Sequence, residues 1–296
     1  MPADTATAPA AQSGAITLGG DLTVNRLGYG AMRITGKGIW GPPEDRASAI
    51  ATLRRAVELG VNFIDTADSY GPFVSEELIA EALAPYPAGL VITTKVGWTR
   101  HGAGVWQHNA SPTHIAESVE GSLKRLRLDR IDVYQLHVPD PATSFDASME
   151  AMARLQEQGK VRHVALSNVT LEHVHRALRY VSIVSVQNRY SFSDREWDFV
   201  LDYCESNGIA FLPWGPMAQG KKANEVVEKI AAARGTSTAV VSLAWLLRRS
   251  PVMLPIPGTS TVKHLEENVS AAAFRLSDEE FADLNAVVPK PYWLRA

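Results

Sequence analysis

VNFIDTADSYG (61–71), LVITTKVG (90–97) and IDVYQLHVPD (131–140) each open on a short apolar run and stop at a polar residue. The first run, Val61 to Ile64, stops at Asp65 and is followed by Tyr70; the second stops at Lys95, the third at His137. Short apolar, β-branched runs between helical segments read as buried parallel strands. In a (β/α)8 barrel, groups at the carboxyl ends of successive strands converge on one face. Asp65, Tyr70, Lys95 and His137 are therefore expected to meet in space.

The same alternation extends along the chain. AITLGGDLTVNRLGYG (15–30) reads as a hairpin turning at Gly19, Gly20 and Asp21, then a strand ending near Tyr29 and Gly30. Helical spacing of apolar residues, at three and four, marks 44–59, 75–84, 113–126, 146–158, 171–180, 195–207, 223–234 and 262–272. Between them lie NFIDTA, LVITTK, IDVYQLH, VRHVALSN, SIVSVQN, IAFLPW and VMLPIPG, which with the strand before Gly30 make eight. Eight strand-helix units in about 260 residues predict a (β/α)8 TIM barrel with an N-terminal β-hairpin and extra C-terminal helices at 238–249 and 277–286. A doubly wound sheet is the rival, but LGYGAMRITGKG (27–38) holds no clean G-x-G-x-x-G entering a helix.

The 296 residues, 46% hydrophobic and 21% charged, suffice for one large core. Residues 1–14 are rich in Ala, Thr and Pro and read as a disordered tail, leaving 15–296 as a single domain. A single cysteine, Cys204, excludes an intramolecular disulfide framework. The formal charge of −3 shows no polyanion-binding bias, so nucleic acid is not an expected partner. No apolar segment approaches the roughly 20 residues of a membrane span, and a cytoplasmic protein is expected. The chain's eight histidines supply no metal site: His173 and His175 face apart on a helix, and His101, His108 and His114 lack carboxylates at ligand spacing.

Reducing a carbonyl requires a hydride donor, a proton donor beside the oxygen, and groups that stabilise the developing negative charge. Tyr70 would hold a transferable proton at neutral pH, and the Lys95 ammonium would ease its release. Asp65 would pair Lys95, and His137 would donate to the carbonyl oxygen. Singly, each has a structural alternative: Asp65 a cap, Tyr70 a packed aromatic, Lys95 a solvated strand end, His137 a rim histidine. Their occurrence together at consecutive strand ends favours chemistry.

FIDTADSYG, TTKVG, LHVPD, ALSN, VQNRYS and PIPGTSTVKHLEEN together resemble the aldo-keto reductase superfamily, over residues 21 to 287. The resemblance implies a barrel that binds NADP(H) in extended form and a catalytic tetrad of Asp65, Tyr70, Lys95 and His137. NRLGYGAMR, GIWGPPEDR and AWLLRRSP look closest to the bacterial branch of pyridoxal reductases and pyridoxine dehydrogenases, which makes pyridoxal a candidate substrate. Residue by residue, it places Gly30, Met32 and Asp65 beside the cofactor. Ser167, Asn168 and Gln187 fall to the nicotinamide carboxamide, Trp214 to stacking on the ring, and Gly215, Pro216 and Met217 to the phosphates. As structural alternatives, Ser167 and Asn168 would cap the helix near Leu171, and Trp214 would fill the core.

In the segment Gly258 to Asn268, a glycine turn and hydroxyls lead into a helix, a setting that favours an anion. Ser260 and Lys263 suit the 2′-phosphate of NADPH, Thr259 is a further cofactor-binding candidate, and by analogy Glu267 and Asn268 reach the adenine. Several better-known reductases carry a lysine and an arginine where Gly258 and His264 stand, so the NADPH preference rests on Lys263. Trp40, Trp98 and Trp106 are candidate substrate-pocket residues; the segment 97–112 reads as a mobile substrate loop, and PKPYWLRA (289–296) as a tail able to cover the same face. Two functions remain open: an NADPH-dependent reductase of an aldehyde or ketone, and a nucleotide-binding sensor that keeps the reductase fold with little turnover. The sequence is silent on oligomeric state.

Overall fold

A computed structural model describes residues 8–217 and 220–288. Seven parallel strands form one sheet: β3 (Tyr29–Gly30), β4 (Phe63–Asp65), β5 (Val91–Val96), β8 (Ile131–Leu136), β9 (Val161–Ser167), β10 (Ile183–Arg189) and β11 (Ala210–Trp214). They pair in that order, with the two-stranded ribbon β6 (Trp98–Gly102) and β7 (Val105–His108) set apart from them. Helices cover the outer face: α1 (Arg46–Glu58), α2 (Val74–Leu83), α3 (Pro112–Leu126), α4 (Phe145–Glu157), α5 (Leu171–Ala177), α6 (Asp198–Ser206), α7 (Lys221–Ala233), α8 (Thr238–Arg249) and α9 (Val262–Ser270). A last helix, α10 (Asp278–Asn285), starts at a Ser277–Glu280 capping box.

The eighth expected strand, VMLPIPG, has no regular ladder, and the reason is chemical. Its residues Pro255 and Pro257 face β3 and carry no N–H, so they can only accept. Gly28 N–H donates to Pro255 O at 2.9 Å and Gly30 N–H to Pro257 O at 3.3 Å. On the other side Phe211 N–H donates to Val252 O and Leu254 N–H to Phe211 O, both at 2.9 Å. The segment thus bridges β3 and β11, and the sheet closes through it.

Inside the ring, side chains alternate with period two and change character along the axis. Phe63, Val91, Val133, Ala165, Leu212, Leu254 and Ile256 form an apolar cluster with Leu18, Leu22 and Val24 of the hairpin β1 (Ala15–Leu18) and β2 (Leu22–Asn25). The hairpin therefore plugs the end where the strands begin. Two residues further along the same strands stand Asp65, Thr93 and Gln135, and beyond them Lys95 and His137. The polar groups share one end because the pleat repeats every second residue.

The expected disordered tail is corrected in part: Pro9–Ser13 form a 3-10 turn, and Ala10, wholly buried, donates its N–H to Leu59 O at 3.0 Å. An apolar Ala-Pro-Ala stretch carries no charge to keep it in water, and it packs against the end of α1. Residues 1–7 and the tail 289–296 lie outside the described residues. The expected mobile loop at 97–112 instead contains the β6–β7 ribbon, with a Gly-Ala-Gly turn at 102–104 between its arms.

Gly30 and Gly258 meet where β3 crosses the closing segment. A Cβ on Gly30 would come 2.6 Å from Ile256 O, and one on Gly258 would come 2.9 Å from Gly30 O. Neither contact is tolerable, and both atoms struck are backbone. Gly30→Ala is expected to destabilise the protein by about 1–3 kcal/mol, read as a lower urea midpoint at unchanged slope.

Candidate active site

At the carboxyl ends of β4, β5 and β8 the structure brings Asp65, Tyr70, Lys95 and His137 together. Lys95 is fully buried. Its ammonium donates to Asp65 Oδ2 at 2.6 Å, to Thr66 O at 2.8 Å and to the Tyr70 hydroxyl at 3.3 Å. All three protons of the buried cation thus have acceptors. Tyr70 is 6% and His137 8% exposed, and their rings meet edge to face with centroids 5.8 Å apart.

The electrostatics follow from burial first and charge second. Burial pushes the Tyr70 hydroxyl above the ordinary value of 10.0, and the nearby Lys95 ammonium opposes this without overcoming it. The expected easing by Lys95 is present, yet the phenol stays protonated at neutral pH. Burial works to lower the Lys95 ammonium, but the Asp65 carboxylate and Tyr70 together hold it above 10.5. For His137, burial and then the Lys95 charge act in the same direction and hold the ring well below 6.5, so it is neutral. Its Nδ1 is buried without a hydrogen-bond partner.

Asp65 is held from a second side. Its Oδ1 accepts from Gln135 Nε2 at 2.9 Å and from Gln187 Nε2 at 3.0 Å, and Gln135 also donates to Thr93 Oγ1 at 2.8 Å. Gln135 was not among the expected residues. Its signal was present: it lies two residues before His137 in an apolar strand, so it shares the inward face.

Ser167, Asn168, Gln187 and Trp214 also stand together at the later strand ends. Asn168, at φ 55°, donates from Nδ2 to His137 O at 2.9 Å and to Ser167 Oγ at 3.1 Å, while its Oδ1 accepts from Trp214 Nε1 at 3.0 Å. Neither Ser167 nor Asn168 caps α5; Thr170 does, in a capping box with His173. Nor does Trp214 fill the core: its ring is 39% exposed, with the Arg189 guanidinium 5.8 Å above it. Gly215, Pro216 and Met217 follow, each at least partly exposed, with Gly215 at φ 64°.

A cleft of about 650 Å³ runs from Met32 and Arg33 through residues 35–39 to Gly258, Thr259 and Ser260, with Gly104 and Trp106 on its rim. Lys263 is exposed on the first turn of α9, and Glu267 and Asn268 lie further along that helix, Asn268 buried. Arg33 and Lys37, both in the cleft, were missed as candidates; a lone basic residue in a loop carries no periodic signal.

Of the three candidate tryptophans, Trp98 stands beside His137, Trp106 packs on Trp98, and Trp40 joins them through Arg100. Trp98 meets His137 at 6.5 Å and Trp106 at 5.8 Å between ring centroids, both edge to face. Arg100 organises the group: its guanidinium lies 3.6 Å from the Trp106 ring centroid and 5.8 Å from that of Trp40. It also donates to Ile39 O at 2.9 Å, Ser69 O at 3.0 Å and Gly38 O at 3.0 Å. One buried side chain thereby ties the first loop, the β6–β7 ribbon and the segment before Tyr70. Among the described residues, no three His, Cys, Asp or Glu side chains gather as a metal site, and no single helix is long and apolar enough to cross a membrane.

A parallel barrel with a lysine, tyrosine, aspartate and histidine at its carboxyl end defines a class, and the chain belongs to the aldo/keto reductase family, whose model matches residues 26–289. It is 48% identical to an uncharacterised oxidoreductase of Schizosaccharomyces pombe over 278 residues, covering 93% of this chain and 90% of the relative. It is 43% identical to pyridoxine 4-dehydrogenase of Escherichia coli over 275 residues, covering 90% and 96% respectively. An aldo-keto reductase of Klebsiella pneumoniae, solved in complex with NADPH, superposes with a TM-score of 0.79 at 26% identity, covering 94% of this chain and 96% of that one.

The Lys95–Asp65 pair is buried at both ends, 0% and 4% exposed, so removing the cation leaves an uncompensated carboxylate. Lys95→Met is expected to cost about 3–5 kcal/mol of stability, measured by urea unfolding.

Proposed function

We propose that this protein is an NADP(H)-dependent reductase of an aldehyde or ketone, running reversibly to the alcohol, with Tyr70 as proton donor. The observation that carries the reading is the buried Lys95 ammonium, paired with Asp65 and 3.3 Å from the Tyr70 hydroxyl. A buried cation bonded to a phenol at the end of a barrel strand sets a proton donor beside a fixed positive charge.

The residues present fit a dinucleotide. Trp214 offers an exposed ring held in place through Nε1, and the cleft leads from Met32 to Gly258, Thr259 and Ser260, with Gly30 packed behind Gly258. Ser167, Asn168 and Gln187 would orient the nicotinamide end, and Gly215, Pro216 and Met217 would flank the phosphates. Lys263 would meet a 2′-phosphate, with Glu267 and Asn268 toward the adenine. When bound, the reduced nicotinamide supplies the hydride.

The remaining steps belong to the chain. His137, neutral, donates to the carbonyl oxygen and orients it. Tyr70 delivers the proton to that oxygen as negative charge develops, and the neighbouring Lys95 ammonium stabilises the phenolate left behind. Asp65, fixed by Gln135 and Gln187, keeps the ammonium aimed at the hydroxyl. Trp40, Trp98 and Trp106 make an aromatic rim suited to a flat substrate, and pyridoxal is the first candidate given the likeness to pyridoxine 4-dehydrogenase.

A panel of carbonyls including pyridoxal, offered with NADPH and with NADH and followed by absorbance, tests the reading. Reduction with NADPH is expected; tight dinucleotide binding with no turnover of any carbonyl would instead mark a sensor. Tyr70→Phe should lower reduction at least about a hundredfold while dinucleotide binding persists, and an unchanged rate would sink the role given to Tyr70. Reduction needs Tyr70 protonated and His137 neutral. Activity should therefore hold across neutral pH, falling only as pH rises past the ordinary tyrosine value of 10.0 or drops well below the histidine value of 6.5.

A further inference from the structure

Behind the tetrad, on the outer side of the sheet, lies a second ion pair that the proposed chemistry does not use. Thr94 stands between Thr93 and Lys95 on β5, so the pleat turns it outward to the helices. Glu76, fully buried on the first turn of α2, accepts from Thr94 Oγ1 at 2.6 Å. Its other oxygen accepts from Nε of Arg125, on the last turn of α3, also at 2.6 Å. The same guanidinium lies 4.2 Å from the centroid of the Phe73 ring.

Two departures from good local structure serve this one guanidinium. Gly121 lies inside α3, where glycine weakens a helix, yet a Cβ there would come 2.6 Å from Arg125 Nη1. Phe73 stands at φ 71°, a region that bulky side chains avoid, and its ring is exposed, so burial in the core does not hold it there. Arg125 does. Backbone strain of this kind persists where the surroundings over-determine it, and it gathers next to functional groups.

The functional group here is Tyr70. Asp65 and Lys95 sit on strands and His137 directly follows one, whereas Tyr70 stands in the turn between β4 and α2. Within that turn Phe73 N–H donates to Asp68 O at 2.7 Å and Ser75 N–H to Tyr70 O at 3.1 Å. Phe73 and Glu76, the two residues that Arg125 contacts, therefore close the segment that presents the phenol. Asp68, buried at the start of the turn, faces the same pair: burial and then the Glu76 charge push its carboxyl well above 3.8, and Arg125 opposes them.

We propose that Arg125 is a positioning residue for the proton donor: it grips Glu76 and Phe73 from behind the sheet and so holds the Tyr70 hydroxyl beside Lys95. A side chain set by its supporting contacts reacts from one geometry, and a small displacement of it is costly to rate. The inference rests on the reductase reading above and extends the machinery to α3, which touches none of the tetrad side chains.

Steady-state kinetics on the full chain, with NADPH and whichever carbonyl of the panel turns over, test it. In Arg125→Met, kcat should fall about 10- to 100-fold, while KM and the dinucleotide Kd from tryptophan quenching stay within about twofold. Arg125→Lys keeps a charge for Glu76 but no planar face for Phe73, and should recover part of the loss. In a Tyr70→Phe background Arg125→Met should add no further loss, because an effect exerted through the hydroxyl vanishes with it. Losses that multiply in the double variant, or a wild-type kcat in Arg125→Met, overturn the proposal. Should Arg125→Met fail to fold, Phe73→Gly gives the same test at an exposed position whose φ glycine adopts freely. A lower kcat that again disappears in Tyr70→Phe supports the brace, and an unchanged kcat refutes it. If the unaltered protein turns over no carbonyl, it is the reductase reading that fails, and this inference falls with it.

Discussion

A lysine ammonium buried to 0% exposure is the constraint around which the upper half of this barrel is organised. Taking such a charge out of water costs several kcal/mol unless every proton finds an acceptor and a countercharge stands close. Lys95 obtains both from Asp65, Thr66 and Tyr70. Asp65 then has a second oxygen to satisfy, and Gln135 and Gln187 reach it from β8 and β10. One ion pair thereby links four strands, and the same geometry that satisfies the charge fixes the phenol beside it. Structural necessity and the proposed chemistry coincide here.

Division of the barrel along its axis follows from the same economy of polar groups. The hairpin fills the lower mouth with Leu18, Leu22 and Val24, leaving the upper mouth for polar side chains. Above it, the two loops that bracket the cleft come from opposite ends of the chain: Met32 to Ile39 after β3, and Gly258 to Ser260 after the closing segment. They are neighbours only because the ring closes between Gly28 or Gly30 and the carbonyls of Pro255 and Pro257. Gly30 and Gly258 allow the two backbones to approach, and Arg33 uses the space left at Gly258.

Much of the fold was legible because period-two and helical patterns report burial directly. NFIDTA, LVITTK and IDVYQLH contain the strands Phe63–Asp65, Val91–Val96 and Ile131–Leu136, and the helix expected at 238–249 spans Thr238–Arg249. VMLPIPG read as a strand but lacks a ladder, since hydropathy does not register that two prolines cannot donate. The ribbon at 98–108 was hidden in a loop because its side chains are mostly part-exposed and alternate only weakly in hydropathy. The 3-10 turn at Pro9–Ser13 was missed because a low-complexity composition says nothing of a docking partner some fifty residues away at Leu59.

For the site, the sequence by itself determined that Asp65, Lys95 and His137 stand at the barrel's upper mouth: strand ends are local, and each of the three terminates an apolar run. It also determined the kinds of group available, a phenol, an ammonium, a carboxylate and an imidazole. Tertiary structure alone decided how those groups modify one another. That Tyr70 is raised despite Lys95, that His137 is neutral, that Gln187 serves Asp65 and Asn168 serves Trp214, and that Arg33 lies along Gly258 all depend on distance and desolvation between residues far apart in the chain. Those quantities have no periodicity in sequence, because they arise only when the ring is closed and water is excluded from its mouth.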